Sequence, residues 1–317
     1  MPIGEFDLIE RYFSRGSDRR DVLLGVGDDA ALLEVPPGRA LVAAVDTLVE
    51  GRHFLPDAPP ESIGHQVLAV NLSDLAAMGA DPAWALLSLS LPESDETWLQ
   101  SFAAGLYALA ERHGVALVGG DTVRGPRVVT VTVLGHVEPA LALRRDGARP
   151  GDVLFVSGWP GEAAAGLEAL RRGVASGDAD PLVRRYRYAE PRLALGRALR
   201  GLASAAMDVS DGLLGDLQKL CRASGAGARL DLERLPVSTQ LSSRHSRADC
   251  ERFALFGGDD YELLFTVPAD RAAEIEAAAP SALPMHRIGV IEAGAGVRCE
   301  RDGRLEDVPG GGYDHFA

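Results

Sequence analysis

Lysine is almost absent. Of the 32 lysine and arginine side chains in the 317 residues, only Lys219 is a lysine. A Walker-type phosphate loop requires glycine, four residues and then Gly-Lys-Ser/Thr, and a protein-kinase fold requires a strand lysine on the phosphates. Lys219 stands between Gln218 and Leu220 with no glycine loop before it. Both lysine-based routes to a triphosphate are therefore excluded, and neutralising one would fall to arginine and metal. Cysteine is scarce too. Cys221, Cys250 and Cys299 are odd in number, far apart and outside any Cys-x-x-Cys pattern, so they read as packing residues rather than ligands or disulfide partners. Long apolar runs are missing: none reaches the roughly 18 to 20 residues of a spanning helix, and residues 1–10 lack the basic start and apolar core of a signal peptide. The cytoplasm is the expected location. Positive charge is in deficit, with a formal net charge of -14, which argues against a nucleic-acid surface and against anchoring to an acidic membrane. A small anionic substrate could bind only where cations invert the local field.

What is present is a series of aspartates beside small residues, each where an apolar run gives out. They are Gly27-Asp28-Asp29, Val45-Asp46-Thr47, Ser73-Asp74, Gly119-Gly120-Asp121-Thr122, Asp208-Val209-Ser210-Asp211-Gly212 and Gly257-Gly258-Asp259-Asp260. Hard oxygen ligands next to closely approachable backbone suit Mg²⁺ held against phosphates. The first hypothesis is a metal-assisted phosphate enzyme.

The length suggests two domains. Residues 5–13 read as a short helix, 40–45 as a strand ending on Asp46, and 61–78 as a helix closing at Gly79. Strands are expected at 84–91, 116–118 and 128–137, with a helix at 95–113. The alternation from Val129 to Val133 is the period-two signal of a strand with unlike faces. Residues 139–150, arginine-rich and bracketed by Pro139 and Pro150, form the boundary. Beyond it, strands are expected at 152–157, 205–209, 229–232, 262–267 and 286–291, with helices at 161–172, 191–202, 211–223 and 269–278. This mixed alternation predicts an α/β chain, mixed α+β in detail, of two domains with helices packed on mixed sheets. No tandem repeat or low-complexity segment is seen.

Taken one at a time, the acids differ in what they demand. Asp46 and Asp121 are placed at strand ends, and Gly119-Gly120 would let backbone approach a phosphate; either alone also reads as a solvated turn. Asp74 interrupts an otherwise apolar helix three residues after Asn71, so metal ligation is favoured over an internal salt bridge. Ser210 or Asp211 could simply cap a helix, which leaves Asp208 unexplained. Asp259, Asp260 and Glu262 together exceed what a turn requires. His53 and His315 each fit either a phosphate contact or a loop.

In order along the chain, residues 25–31, 45–54, 69–82, 119–122, 208–213 and 257–264, closing on 312–316, resemble the thiamine-monophosphate kinase family. That family shares its superfamily with aminoimidazole-ribonucleotide synthetase and selenophosphate synthetase. The resemblance implies an aminoimidazole-ribonucleotide-synthetase-like fold and a homodimer. It implies an N-terminal metal- and nucleotide-binding and dimerisation domain at 1–138, a linker at 139–150, and a C-terminal α/β domain at 151–317 that completes the site. It further implies direct in-line transfer of the ATP γ-phosphoryl group to thiamine monophosphate with several Mg²⁺. By motif, the metal ligands would be Asp29, Asp46, Asp74, Asp121, Asp208 and Asp211, with Asp46 and Asp121 catalytic. Tyr107, Gly120, Asp121, Arg145 and Ser210 would contact ATP, and His53, Asp259 and Tyr313 the thiamine phosphate. Three departures stand out: Ala44-Val45 where the family often has Ser-Thr or Thr-Thr, Asp259 where glutamate is usual, and Tyr313 where tryptophan is common. Two alternatives remain. One is another ATP-using synthetase of the superfamily, though selenophosphate synthesis calls for an N-terminal reactive cysteine and lysine that are missing. The other is a non-catalytic Mg-nucleotide-binding protein.

Overall fold

The structure is a computed structural model that describes residues 4–16, 18–175, 177–278 and 283–308. The chain divides into two compact units, residues 1–75 with 80–140, and residues 76–79 with 141–317. In the first, the order is α1 (Glu5–Phe13), β1 (Val22–Leu24), β2 (Leu32–Leu33), β3 (Ala40–Val49), α2 (Pro60–Ala77), β4 (Asp81–Leu91), α3 (Glu96–His113), β5 (Ala116–Arg124) and β6 (Val128–Val137), with the end of α2 belonging to the second unit. Among the described residues β3-β6-β4-β5 form a four-stranded sheet in which only the β4–β5 pair is parallel.

The core of this unit lies between the sheet and α2. Val129, Val131 and Val133 of β6 are fully buried, while the intervening Thr130 and Thr132 are not, which is the alternation the sequence predicts. Helix α2 is apolar nearly all round, with Val67, Leu68, Leu72 and Leu75 buried, as suits a helix enclosed by its neighbours. It approaches α3 through two glycines. A Cβ on Gly64 would lie 2.0 Å from the Phe102 carbonyl oxygen, and one on Gly105 would lie 1.9 Å from that of Glu61. Helix α3 starts where the Asp95 carboxylate accepts the Thr97 and Trp98 amides and stops at left-handed Gly114.

The second unit continues with β7 (Val153–Ser157), α4 (Glu162–Arg171), α5 (Pro181–Arg187), α6 (Leu193–Ala198), β8 (Ala205–Val209), α7 (Leu213–Ser224), β9 (Gly227–Asp231), α8 (Thr239–Ser242), α9 (Arg247–Phe256), β10 (Glu262–Val267), α10 (Ala272–Ala278), β11 (Met285–Glu292), β12 (Gly296–Arg301) and β13 (Arg304–Glu306). Its seven-stranded sheet has the order β13-β12-β9-β11-β7-β10-β8 among the described residues, and one core joins Leu154, Val156, Met207, Leu213, Leu217 and Leu264. Both units are mixed sheets packed with helices, as expected. Cys221, Cys250 and Cys299 are free thiols buried in packing, and burial pushes the Cys221 thiol up to about 11. No helix among the described residues is long and apolar enough to cross a membrane.

Two strand readings need correction. β3 runs on to Val49 and β5 to Arg124, so Asp46 and Asp121 sit inside strands rather than at their ends. Ladder pairing, of Asp46 with Val131 and of Asp121 with Ser88, overrides the weak strand preference of aspartate and of Gly119-Gly120.

Candidate active site

In the first unit, β5 brings Gly119, Gly120, Asp121 and Thr122 to the wall of a cavity of about 410 Å³. Ile9 and Phe13 of α1, Leu87 and Leu117 supply its apolar lining, and Val26, Gly27, Asp28 and Asp29 close the rim. Asp28, Asp29 and Asp121 are exposed. The Asp28 carboxylate accepts the Asp29 amide at 2.8 Å, a local turn that fixes the pair. Gly120 is required where it stands, because a Cβ there would fall 1.8 Å from the Leu87 carbonyl oxygen. The result is bare backbone and carboxylate on one side of a greasy hollow.

Asp46 is held differently. Its amide donates to Asn71 Oδ1 at 3.0 Å, and the Asn71 amide nitrogen donates to the Val67 carbonyl at 2.8 Å. The fully buried Asn71 thus ties α2 to the middle of β3, and half-buried Asp74 lies one turn further along that helix. The polar interruption of the α2 stripe is in part this clamp. Strand pairing runs from Asp121 to Ser88, Thr130 and Thr47, whereas Asp46 precedes Thr47. Period-two alternation therefore turns Asp46 and Asp121 to opposite faces of the sheet. His53 accepts the Val49 amide on Nδ1 at 3.0 Å, which in the neutral ring puts the proton on Nε2, a donor suited to a phosphate. Tyr107 is buried in α3, with the Arg15 guanidinium 4.1 Å above its ring; burial raises its hydroxyl pKa.

In the second unit Asp208 is buried near the end of β8. Ser210 and Asp211 do not cap α7, which corrects the capping reading: its N-cap is Gly212, without a side-chain cap. Instead the fully buried Asp216 reaches back and accepts the amides of Ser210 (2.9 Å) and Asp211 (3.0 Å). Asp259 and Tyr261 both have left-handed backbone, with φ of 69° and 51°, which is strain of the kind kept at functional loops. Burial pushes the Asp259 carboxyl up to about 6, against a hydrogen bond from Tyr261. The acids beside it are structural. Asp260 accepts the amides of Gly161 and Ala163 at the start of α4, and burial pushes it up to about 8. Glu262 loses its water entirely, yet Arg192 and Arg185 hold it below the usual carboxylate range. Arg145 is exposed, its carbonyl accepting from Ser224, and Tyr313 lies outside the described residues.

Among the described residues no group of three or more His, Cys, Asp or Glu side chains is gathered to hold a metal ion. Mg²⁺ asks for less, since one or two carboxylates plus phosphate oxygens suffice. The hard-oxygen rim of Asp28, Asp29 and Asp121 beside glycine backbone fits that requirement.

Sequence reasoning missed the Asp216 and Lys219 clamp on Asp211, whose only signal was helical spacing, and the contribution of α1 to the cavity.

Residues 27–137 match the N-terminal domain of AIR synthase related proteins and residues 149–302 the C-terminal domain. Thiamine-monophosphate kinase of Escherichia coli (strain K12) is 49% identical over 100% of this chain and 99% of its own length. The chain belongs to the thiamine-monophosphate kinase family, and it is an enzyme. The crystal structure of thiamine-monophosphate kinase from Stenotrophomonas maltophilia K279a is 46% identical, with a TM-score of 0.88 over 96% of this chain and 99% of that one. A structure of AaThiL complexed with AMPPCP and TMP is 34% identical, with a TM-score of 0.78 over 89% of each. The family read from the motifs is thereby borne out, as is the two-domain mixed α/β fold.

Proposed function

We propose that the chain transfers the γ-phosphoryl group of ATP to the phosphate of thiamine monophosphate, giving thiamine diphosphate and ADP, the last step in making that cofactor. Transfer is direct and in line, without a phosphoenzyme. The relatives' substrates support the reading, and one observation carries it: bare Gly119-Gly120 backbone, Asp29 and Asp121 share the wall of one cavity. The acceptor is a phosphate oxygen already ionised at neutral pH, so no strong base is needed, and alignment with charge stabilisation makes up most of catalysis. Several Mg²⁺ ions, when bound, supply the charge that offsets repulsion between two anions. Asp29, Asp46, Asp74 and Asp121 in the first unit, and Asp208 and Asp211 in the second, are the carboxylates that would hold them. Turnover depends most on Asp46 and Asp121.

Tyr107, Gly120, Asp121, Arg145 and Ser210 contact the nucleotide. His53 and Asp259 contact the thiamine phosphate, as does Tyr313. The departure at Ala44-Val45 leaves only backbone there, and β3 is an edge strand whose alternate carbonyls point away from β6. Residues 1–138 bind metal and nucleotide and form a homodimer, 139–150 link, and 151–317 supply the remaining contacts; the cytoplasm is the location. Leu41, Val45 and Val123, exposed on one face of the four-stranded sheet, support the dimer.

The test is turnover of thiamine monophosphate with Mg²⁺ and ATP made chiral at the γ-phosphorus. Thiamine diphosphate with inverted configuration is expected. Retention would show a phosphoenzyme, and ADP without thiamine diphosphate would remove the proposed acceptor.

A further inference from the structure

Lys219, the sole lysine of the chain, is fastened to the loop that carries Asp211. Its ammonium donates to Asp211 Oδ2 and, at 2.8 Å, to Asp216 Oδ1. Asp216 is fully buried, and its Oδ2 accepts the amides of Ser210 and Asp211. One buried carboxylate and one ammonium therefore hold both the backbone and the side chain of Asp211. Lys219 itself is 41% exposed and Asp211 31% exposed, so the pair faces solvent while its anchor does not. Helical spacing fixes the geometry, because Asp216 and Lys219 are three residues apart on α7.

Resting on the reading in which Asp211 holds Mg²⁺, we propose that Lys219 is a positioning residue that acts as an internal counter-cation. It aligns the Asp211 carboxylate and, by like-charge repulsion, sets how tightly a divalent ion binds there. An ammonium sharing a carboxylate with a doubly charged ion repels it over a few ångströms, where such interactions are strong even at the effective dielectric of a protein surface. A neutral side chain of similar length keeps the packing of the stem and removes the repulsion.

The experiment is thermal unfolding of the full chain, wild type, Lys219→Met and Lys219→Arg, across a Mg²⁺ titration at fixed, saturating AMPPCP. Lys219→Met is expected to unfold at a lower temperature without Mg²⁺, because Asp211 and Asp216 lose their cation. Its Mg²⁺-dependent rise should be half complete at a roughly tenfold lower concentration than in wild type, while Lys219→Arg stays within about twofold of wild type. A purely structural lysine would lower stability without moving the Mg²⁺ midpoint. An unshifted or raised midpoint in Lys219→Met, or no Mg²⁺ response in any variant, overturns the proposal. Thiamine diphosphate formation by the same wild-type preparation, assayed separately with Mg²⁺, thiamine monophosphate and ATP in place of AMPPCP, separates the two layers: turnover with an unshifted midpoint sinks only the role of Lys219, and absence of turnover sinks the functional reading beneath it.

Discussion

The two sheets treat their acids in opposite ways. In the seven-stranded sheet and its helices the buried carboxylates have protein partners: Glu262 has Arg185, Arg192 and Ser157, Asp216 has Lys219 and two amides, and Asp260 has two amides of α4. In the four-stranded unit Asp28, Asp29 and Asp121 stand exposed around a cavity, beside glycine backbone. A buried charge must be compensated or it destabilises the fold. An exposed charge with water on it is cheap to keep and ready to exchange that water for a ligand. The contrast separates acids that hold the protein together from acids available for chemistry, and Asp211 lies between, clamped yet partly exposed.

Substitution among the carboxylates proposed to hold metal, exposed Asp121 and half-buried Asp46, gives the largest expected effect. Asp46→Asn and Asp121→Asn should each lower thiamine diphosphate formation by about a thousandfold or more, the scale of losing charge stabilisation at a reacting phosphate, while the thermal midpoint stays near wild type. A near-native rate in either variant would break the comparison at its functional end. Glu262→Gln should do the reverse, lowering unfolding free energy by about 3 kcal/mol because two partly buried guanidinium groups lose their fully buried anion. Urea titration reads this loss, and a change below about 1 kcal/mol would show that the network is not a stabilising one.

A pH series sharpens the same contrast. Because burial raises Asp260 to about 8 in the folded chain from an ordinary value near 3.8, its contribution is complete below about pH 4 and declines as pH rises toward 8. Within that window the decline is at most about 1.4 kcal/mol per pH unit. Asp260→Asn should therefore flatten the fall in stability between pH 5 and pH 8, and parallel curves for the two proteins would contradict the assignment. The smallest effect is expected at the clamp under β3. Asn71→Ala should cost about 1–3 kcal/mol through the unpaired Asp46 amide, seen as a lower urea midpoint at unchanged slope.

The contrast also explains what could be read in advance. α1, β6, β8 and β10 have the bounds their periodicity predicts, since each has one clear apolar pattern. β3 and β5 are longer than expected because Asp46 and Gly119-Gly120 look like strand breakers until neighbouring strands pair with them. α9 escaped because Arg247, Asp249, Glu251 and Arg252 break up its apolar pattern, although Ser246 stands as its N-cap. β1, β2, α5, α8 and β13 are too short to show a period, and β12 is fixed by β9, a strand distant in sequence that it meets in parallel. The acidic motifs were legible as a set, since so many Asp-small pairs have no single structural reason. Which acids are structural was not, because the arginine partners of Glu262 are 70 and 77 residues away along the chain.

Crystals grown with Mn²⁺ in place of Mg²⁺, AMPPCP and thiamine monophosphate, and measured at the manganese edge, address the central idea most directly. Anomalous peaks are expected within bonding distance of the Asp29, Asp46, Asp74 and Asp121 carboxylates and of phosphate oxygens. Bound nucleotide and thiamine phosphate with no ion on any of those carboxylates would contradict the account.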